Sequence, residues 1–253
     1  MILGFRTKEK RISMGLKQSM AKINNQQIII ILGPPGAGKG TQATLLADKL
    51  GLFYFETSKI IEQKVMNADR GEVEKVGDKE YDLLAEKKRW EEGILCSPPL
   101  VALWVNQRIR ELAEQGESIV IAGSPRTLPE TKGIMPAMAE FYGEENIKVI
   151  LLELKAEDSL WRNSHRRICQ LMRHPILFNK ETEKLTKCPL DGSSLIRREK
   201  LDDPEIIKIR LREYQERTLP IVDYLEKEGY KITKIDASPA PADVFNNVFE
   251  ATK

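Results

Sequence analysis

The 253-residue chain has few aromatics, at 6%, and only three cysteines. No apolar run approaches the roughly 18 residues that a membrane span needs. Three cysteines in so long a chain exclude a disulfide framework and point to a reducing compartment. There is little net charge: 40 Lys+Arg against 38 Asp+Glu leave +2. A nucleic-acid binder usually shows a clear basic excess, so this balance speaks against that class. What is present is a hydrophobic content of 41%, enough for a sizeable core. Charged residues reach 31%. These figures point to a soluble, cytoplasmic globular protein of one large or two small domains, with neither nucleic acid nor membrane as partner.

The charge is uneven. Residues 1–26 carry Arg6, Lys8, Lys10, Arg11, Lys17 and Lys22 against Glu9 alone, a net +5, which leaves −3 for the remaining 227 residues. The segment reads as a basic, solvated tail. It has no apolar stretch of the kind a secretory signal requires.

From position 27 the pattern becomes regular. Gln27–Leu32 reads as a strand buried on both faces, a glycine-rich turn follows, and Thr41–Leu50 has helical spacing that Gly51 stops. Ser118–Ala122 and Lys148–Leu154 read as further strands, followed by helical stretches at Pro129–Tyr142 and Ala156–Cys169. Pro204–Lys227 predicts a long helix that Pro220 breaks or kinks. Lys231–Ile235 is a last strand and Ala242–Ala251 a closing helix. The alternation predicts an α/β fold with a mainly parallel sheet covered by helices on both faces. Two segments interrupt it: residues 57–98, which are charged and helical in pattern with no clear strand, and residues 169–201, which hold two cysteines, two prolines and a glycine.

The turn is Gly33-Pro34-Pro35-Gly36-Ala37-Gly38-Lys39-Gly40-Thr41-Gln42. A G-x4-G-K motif between a buried strand and a helix cradles phosphates. Its successive N–H groups form an anion nest, the helix start adds positive potential, and the lysine is a mobile point charge. Gly40 stands where most phosphate loops carry the Ser or Thr that ligates Mg²⁺.

A loop ending G-K-G-T-Q resembles that of the adenylate kinase family of nucleoside monophosphate kinases, and the resemblance extends over residues 27–253. Ser124-Pro125-Arg126-Thr127 is similar to the family's F-P-R-T, Arg162 with Arg166-Arg167 to the arginines at the lid entrance, and Arg210-Leu211-x2-Tyr214 to its R-L-x-x-Y. The resemblance implies a phosphate-loop α/β core, an acceptor-binding insertion at 57–98 and a lid at 169–201. It implies a monomer that reversibly transfers the ATP γ-phosphate to a nucleoside monophosphate, AMP by default, using Mg²⁺. Lys39, Arg126, Arg166 and Arg210 would be catalytic. Gly33, Gly36, Ala37, Gly38, Lys39, Gly40, Thr41, Arg162 and Arg166 would bind ATP, and Thr57, Gly123, Arg126, Glu130, Arg198 and Arg210 the acceptor. Arginines from separate segments suit a reaction that is mostly positioning and charge neutralisation.

The chain departs from the family in its acceptor half. The pattern S-T-G-D-x-x-R becomes Glu56-Thr57-Ser58-Lys59-Ile60-Ile61-Glu62, so an acid becomes Lys59 and a phosphate-gripping arginine becomes Glu62. The acid of D-G-F-P-R is Ala122, and Glu130 replaces the glutamine that reads the AMP base. Setting Asp202 on the family's second acid puts Glu199 at an arginine position, with Arg198 next to it. Two readings follow: an active kinase with altered acceptor or metal use, or an ATP-binding relative that senses nucleotides without transfer. In the lid, the resemblance implies a structural Zn²⁺ held by Cys169, Cys188 and Asp191, with Met172 replacing one ligand and His174 a candidate fourth.

Overall fold

The computed structural model describes residues 26–198 and 201–253. The basic segment therefore lies outside the described residues except for Gln26, and Glu199 lies outside them too. Five parallel strands form the central sheet: β1 (Ile28–Leu32), β2 (Phe53–Glu56), β5 (Ile119–Ala122), β6 (Ile147–Glu153) and β10 (Ile232–Asp236), in the order β10-β6-β1-β5-β2. Every residue of β1 is at most 3% exposed, as its unbroken apolar run predicts. The strand alternates between two cores. Ile28 and Ile30 pack with Phe55, Leu100, Trp104 and Tyr142, whereas Ile29 and Ile31 pack with Leu46, Val120, Val244 and Val248. Because all five strands run the same way, their carboxyl ends line one edge of the sheet, the usual place for a ligand in an open α/β fold.

The expected elements appear with small shifts at their ends. The loop helix α1 covers Lys39–Leu50, and α5 covers Leu128–Tyr142. The helix expected over Ala156–Cys169 is a correction: α6 ends at Ser164, and Arg167–Cys169 forms β7, the middle strand of a small antiparallel sheet with β8 (Pro175–Ile176) and β9 (Leu195–Ile196). Segment 57–98 is also corrected. Between α2 (Thr57–Met66) and α3 (Leu83–Glu91) lies an antiparallel hairpin, β3 (Val73–Val76) and β4 (Lys79–Asp82). The hairpin alternates exposed with half-buried residues, too weak an apolar period to read from the sequence. It is tied down where Trp104 Nε1 donates to Glu74 Oε2 at 2.8 Å. Trp104 belongs to α4 (Pro98–Glu114), a buried helix that the sequence reading did not single out.

The long C-terminal helix is divided as Pro220 requires. α7 (Pro204–Glu213) runs into a π turn at Tyr214–Thr218, then α8 (Pro220–Lys227) begins. Proline has no N–H and crowds the preceding turn; the wider π turn, with Leu219 N donating to Tyr214 O at 2.8 Å, absorbs both effects. The turn also holds the site, since Thr218 Oγ1 donates to Arg126 O at 2.7 Å. The sheet is completed by α9 (Pro241–Glu250). Among the described residues no helix is long and apolar enough to cross a membrane.

Candidate active site

Gly38 takes φ 84° at the start of α1, a left-handed conformation that a glycine adopts without strain. Gly36, at φ 82°, leaves no room for a side chain: a Cβ there would stand 2.6 Å from Asn163 Nδ2. The loop is pinned from α6, where Ser159 Oγ donates to Pro35 O and Asn163 Nδ2 to Ser159 O. Ser159 and Asn163 are fully buried, and they are functional supports that sequence reasoning missed. Their only signal was two polar residues on the inner face of an amphipathic helix.

A cleft opens at the carboxyl ends of β1 and β5. Its cations are Lys39, Arg126, Arg198 and Arg210, supplied by the loop helix, the segment after β5, the segment after β9 and α7. Gly33, Gly123 and Glu130 also line it, with an apolar wall from Ile61, Trp90 and Leu95. Lys39 Nζ donates to Gly33 O at 2.7 Å and to Pro34 O at 2.8 Å. These are neutral acceptors, so its charge is uncompensated. Burial, and then the nearby Arg126 and Arg210, hold the Lys39 ammonium well below its ordinary value. Burial likewise lowers Arg126, partly opposed by Glu130. Arg210 is drawn down to about 9 by burial and by Arg198 and Arg126, and so keeps its proton at neutral pH. Among the described residues neither Lys39 nor Arg126 has a carboxylate within ion-pair distance. A buried concentration of like charge awaits a polyanion.

Other expected residues stand elsewhere. Arg166 leaves the cleft wall for Asn163 Oδ1 and lies 3.7 Å from Asp202. Arg198 pairs with the same Asp202 at 2.9 Å and lines the cleft. Arg162 donates to the carbonyls of Ala237 and Ser238, both at 2.8 Å, closing a second small pocket with Ala37, Gly38, Thr41, Pro239 and Pro241. Arg167 turns into the lid, donating to the carbonyls of Thr182, Glu183 and Leu185. Gly40 lines neither pocket and abuts the Tyr54 hydroxyl.

Thr57 is 1% exposed and its hydroxyl has no partner among the described residues; it does not line the cleft. Ser58 beside it does. Glu62 lies on the exposed face of α2, and Lys59 pairs with Glu56 at 3.1 Å. The reversed charge at position 62 therefore does not project into this cleft. Glu130 is 3% exposed, accepting from Ser124 Oγ and from Arg126 N at 3.0 Å. Burial raises its carboxyl despite these hydrogen bonds. Cys96 is a buried thiol of the cleft wall, pushed up to about 12 by burial and Glu86, and is therefore unreactive.

In the lid, the ligand atoms of Cys169, His174 and Cys188 lie within 4.8 Å of one another. Cys188 Sγ is 3.5 Å from His174 Nε2, and Cys169 Sγ donates to Asp191 Oδ2 at 2.9 Å. Met172 points away, 67% exposed, but its N–H donates to Cys169 Sγ at 3.2 Å. The strand pairing β7–β8 carries His174 back towards Cys169, and Cys169 N donates to His174 O at 2.9 Å.

The lowered Lys39 predicts proton-linked binding. A bound phosphate restores its pKa, so binding takes up protons at pH values between the lowered value and the ordinary 10.5. Nucleotide affinity accordingly falls as pH rises through that window. Calorimetry at a pH where the nucleotide phosphates are fully ionised should give a binding heat that varies with buffer ionisation enthalpy in the sense of proton uptake. Equal heats in all buffers would contradict it.

Comparison with known proteins agrees with the geometry. The family model described as adenylate kinase matches residues 31–230. The adenylate kinase of Chlamydia trachomatis serovar L2 is 30% identical over 236 residues, covering 88% of this chain and 89% of that protein. The adenylate kinase of Petrotoga mobilis is 30% identical over 225 residues, covering 87% and 95%, and that of Gemmatimonas aurantiaca 29% over 226 residues, covering 89% and 99%. With the phosphate loop and the cleft cations all within the matched span, the chain belongs to the adenylate kinase family.

Proposed function

We propose that this chain catalyses reversible phosphoryl transfer between ATP and AMP in the cleft bounded by Lys39, Arg126, Arg198 and Arg210. The observation that carries the reading is the convergence of these four cations beside a phosphate loop, two of which, Lys39 and Arg126, have no carboxylate within ion-pair distance among the described residues. An oxygen of the AMP phosphate attacks the γ-phosphorus, the bond to the bridging oxygen breaks, and two ADP result. No side chain need hold a proton, because the chemistry is positioning and stabilisation of spreading charge. Lys39 lies on the donor side, Arg126 on the acceptor side, and Arg210 and Arg198 between the two and the lid. Arg166 joins them by leaving Asp202 when the lid closes. The pocket beside Arg162 takes the adenine of ATP, with the guanidinium over the base. The β7–β9 sheet is the lid, and its closure excludes water that would compete with AMP. The nucleotide-sensing reading without transfer is not favoured by the family relationship. Coupled assay of ADP formed from Mg-ATP and AMP tests the proposal; ATP binding without ADP formation would reject it.

Glu130 predicts an altered acceptor interaction. The adenine edge offers an amino donor and a ring-nitrogen acceptor, so a carboxylate can satisfy only the first, whereas a carboxyl group or an amide satisfies both. The raised carboxyl makes KM for AMP increase as pH rises through its titration. Glu130→Gln should lower KM for AMP by about tenfold and remove that pH dependence. An unchanged KM–pH profile would show that Glu130 does not face the base.

Two metals belong to the reading. The donor set Cys169, His174, Cys188 and Asp191 fits tetrahedral Zn²⁺, which would tie together the two turns of the lid. Mg²⁺ with ATP would neutralise phosphate charge, but Gly40, Lys59 and Ala122 offer it no carboxylate or hydroxyl.

A further inference from the structure

We propose that Glu56 is the carboxylate that positions the hydrated Mg²⁺ of the ATP complex in this chain, an inference that rests on the kinase reading above. Position 40 lacks the hydroxyl that most phosphate loops offer Mg²⁺, and positions 59 and 122 lack the acids of the family pattern. Glu56 borders the last two directly, and its strand neighbour Tyr54 meets the first. It is the last residue of β2 and stands in register with Ala122 of β5. Neighbouring strands are only about 4.8 Å apart, so a glutamate here reaches the space beside a side chain at position 122. Alternation along β2 puts Glu56 on the same face as Tyr54, opposite Phe55, which is buried in the other core. That face meets the start of the loop helix: a Cβ on Gly40 would stand 3.1 Å from the Tyr54 hydroxyl. Lys59 reaches Glu56 directly, Nζ to Oε2 at 3.1 Å.

The electrostatics agree with that placement. Glu56 opposes ionisation of Tyr54, which adjoins Gly40, and supports the charge of Arg126, which lines the cleft. Ser58 Oγ donates to Oε1 at 2.9 Å and fixes the carboxylate. Its other partner, Lys59, has a side chain 67% exposed. An exposed ion pair of that kind is readily exchanged. Mg²⁺ dehydrates reluctantly and is usually held through its waters, so a carboxylate can position the ion by accepting from them without touching it. The acid missing from positions 59 and 122 is thus supplied from the adjoining strand.

The experiment uses the full chain with Glu56→Gln and the double variant Glu56→Gln/Ala122→Asp, with thermal melting to establish that each is folded. Mn²⁺ serves as the spectroscopic probe of the enzyme–ATP complex, and Mg²⁺ is titrated in the transfer assay. Glu56→Gln should raise the Mg²⁺ needed for half-maximal turnover by about tenfold or more, in the range expected when an outer partner of a metal is lost. It should weaken Mn²⁺ binding in the ATP complex without weakening affinity for metal-free ATP, which loses a repelling charge. Ala122→Asp should restore metal affinity in the Glu56→Gln background, which a merely structural role for Glu56 would not allow. An unaltered Mn²⁺ affinity in Glu56→Gln, or a loss that Ala122→Asp does not recover, overturns the proposal. Should the unmodified chain bind ATP yet transfer nothing, the Mn²⁺ measurement still reads Glu56, so failure of this inference is distinguished from failure of the kinase reading.

Discussion

Replacing Lys39 with methionine lowers kcat/KM for phosphoryl transfer by about 10³-fold, a loss of about 4 kcal/mol of transition-state stabilisation. The size follows from the environment of the ammonium. It is half-buried, its hydrogen-bond partners among the described residues are the neutral carbonyls of Gly33 and Pro34, and Arg126 and Arg210 repel it. In such a site its interaction with transferring oxygens is little diluted by water. The same environment sets the sign of the stability change. Methionine keeps the apolar stem and removes an uncompensated buried charge, so the nucleotide-free variant should melt no lower than the unmodified chain. Steady-state kinetics with thermal melting checks both. Activity within tenfold of the parent would show that Lys39 does not meet the phosphates. A large fall in melting temperature would mean that the lysine is there for the loop's structure.

The lid prediction concerns metal. The purified chain should carry about one zinc, since the thiols of Cys169 and Cys188 and the ring of His174 put three donor atoms within 4.8 Å of one another, and the Asp191 carboxylate beside Cys169 can serve as a fourth. Structural zinc contributes directly to folding, because the unfolded chain holds no such site. Cys188→Ser or His174→Ala should abolish stoichiometric zinc and lower Tm by at least about 5 °C, which corresponds to only a few kcal/mol in a chain of this size. Cys96→Ser should keep the zinc, because Cys96 lies in the cleft wall and not in the lid. Elemental analysis and melting with and without chelator are sufficient. A zinc content near zero, with a Tm indifferent to chelator, would leave the lid as a metal-free, hydrogen-bonded structure.

The sequence was most legible where one local rule dominated. The apolar run of β1, the glycine-lysine turn after it and Pro220 each allowed few conformations. It was least legible where partners come from afar. The β3–β4 hairpin alternates only weakly, and Trp104 holds it from another helix. Helical spacing over Ala156–Cys169 continued past Ser164, but pairing with β8 and β9 wins for Arg167–Cys169. Position 62 carries an acid where the family pattern has an arginine, and only the structure shows that it is exposed on α2.

By itself the sequence determined the family, the parallel α/β core and the lysine of the phosphate loop, because these depend on short-range spacing and on residues with narrow conformational tolerance. The tertiary structure decided which charges share a cleft. It brought Arg198 to the cleft beside Arg210, left Arg166 on Asp202, turned His174 towards the lid cysteines and set Glu56 beside Ala122. Sheet register and helix facing fix such distances, and electrostatic and metal chemistry depend on distances within a few ångströms, which residue order alone does not encode in any local pattern.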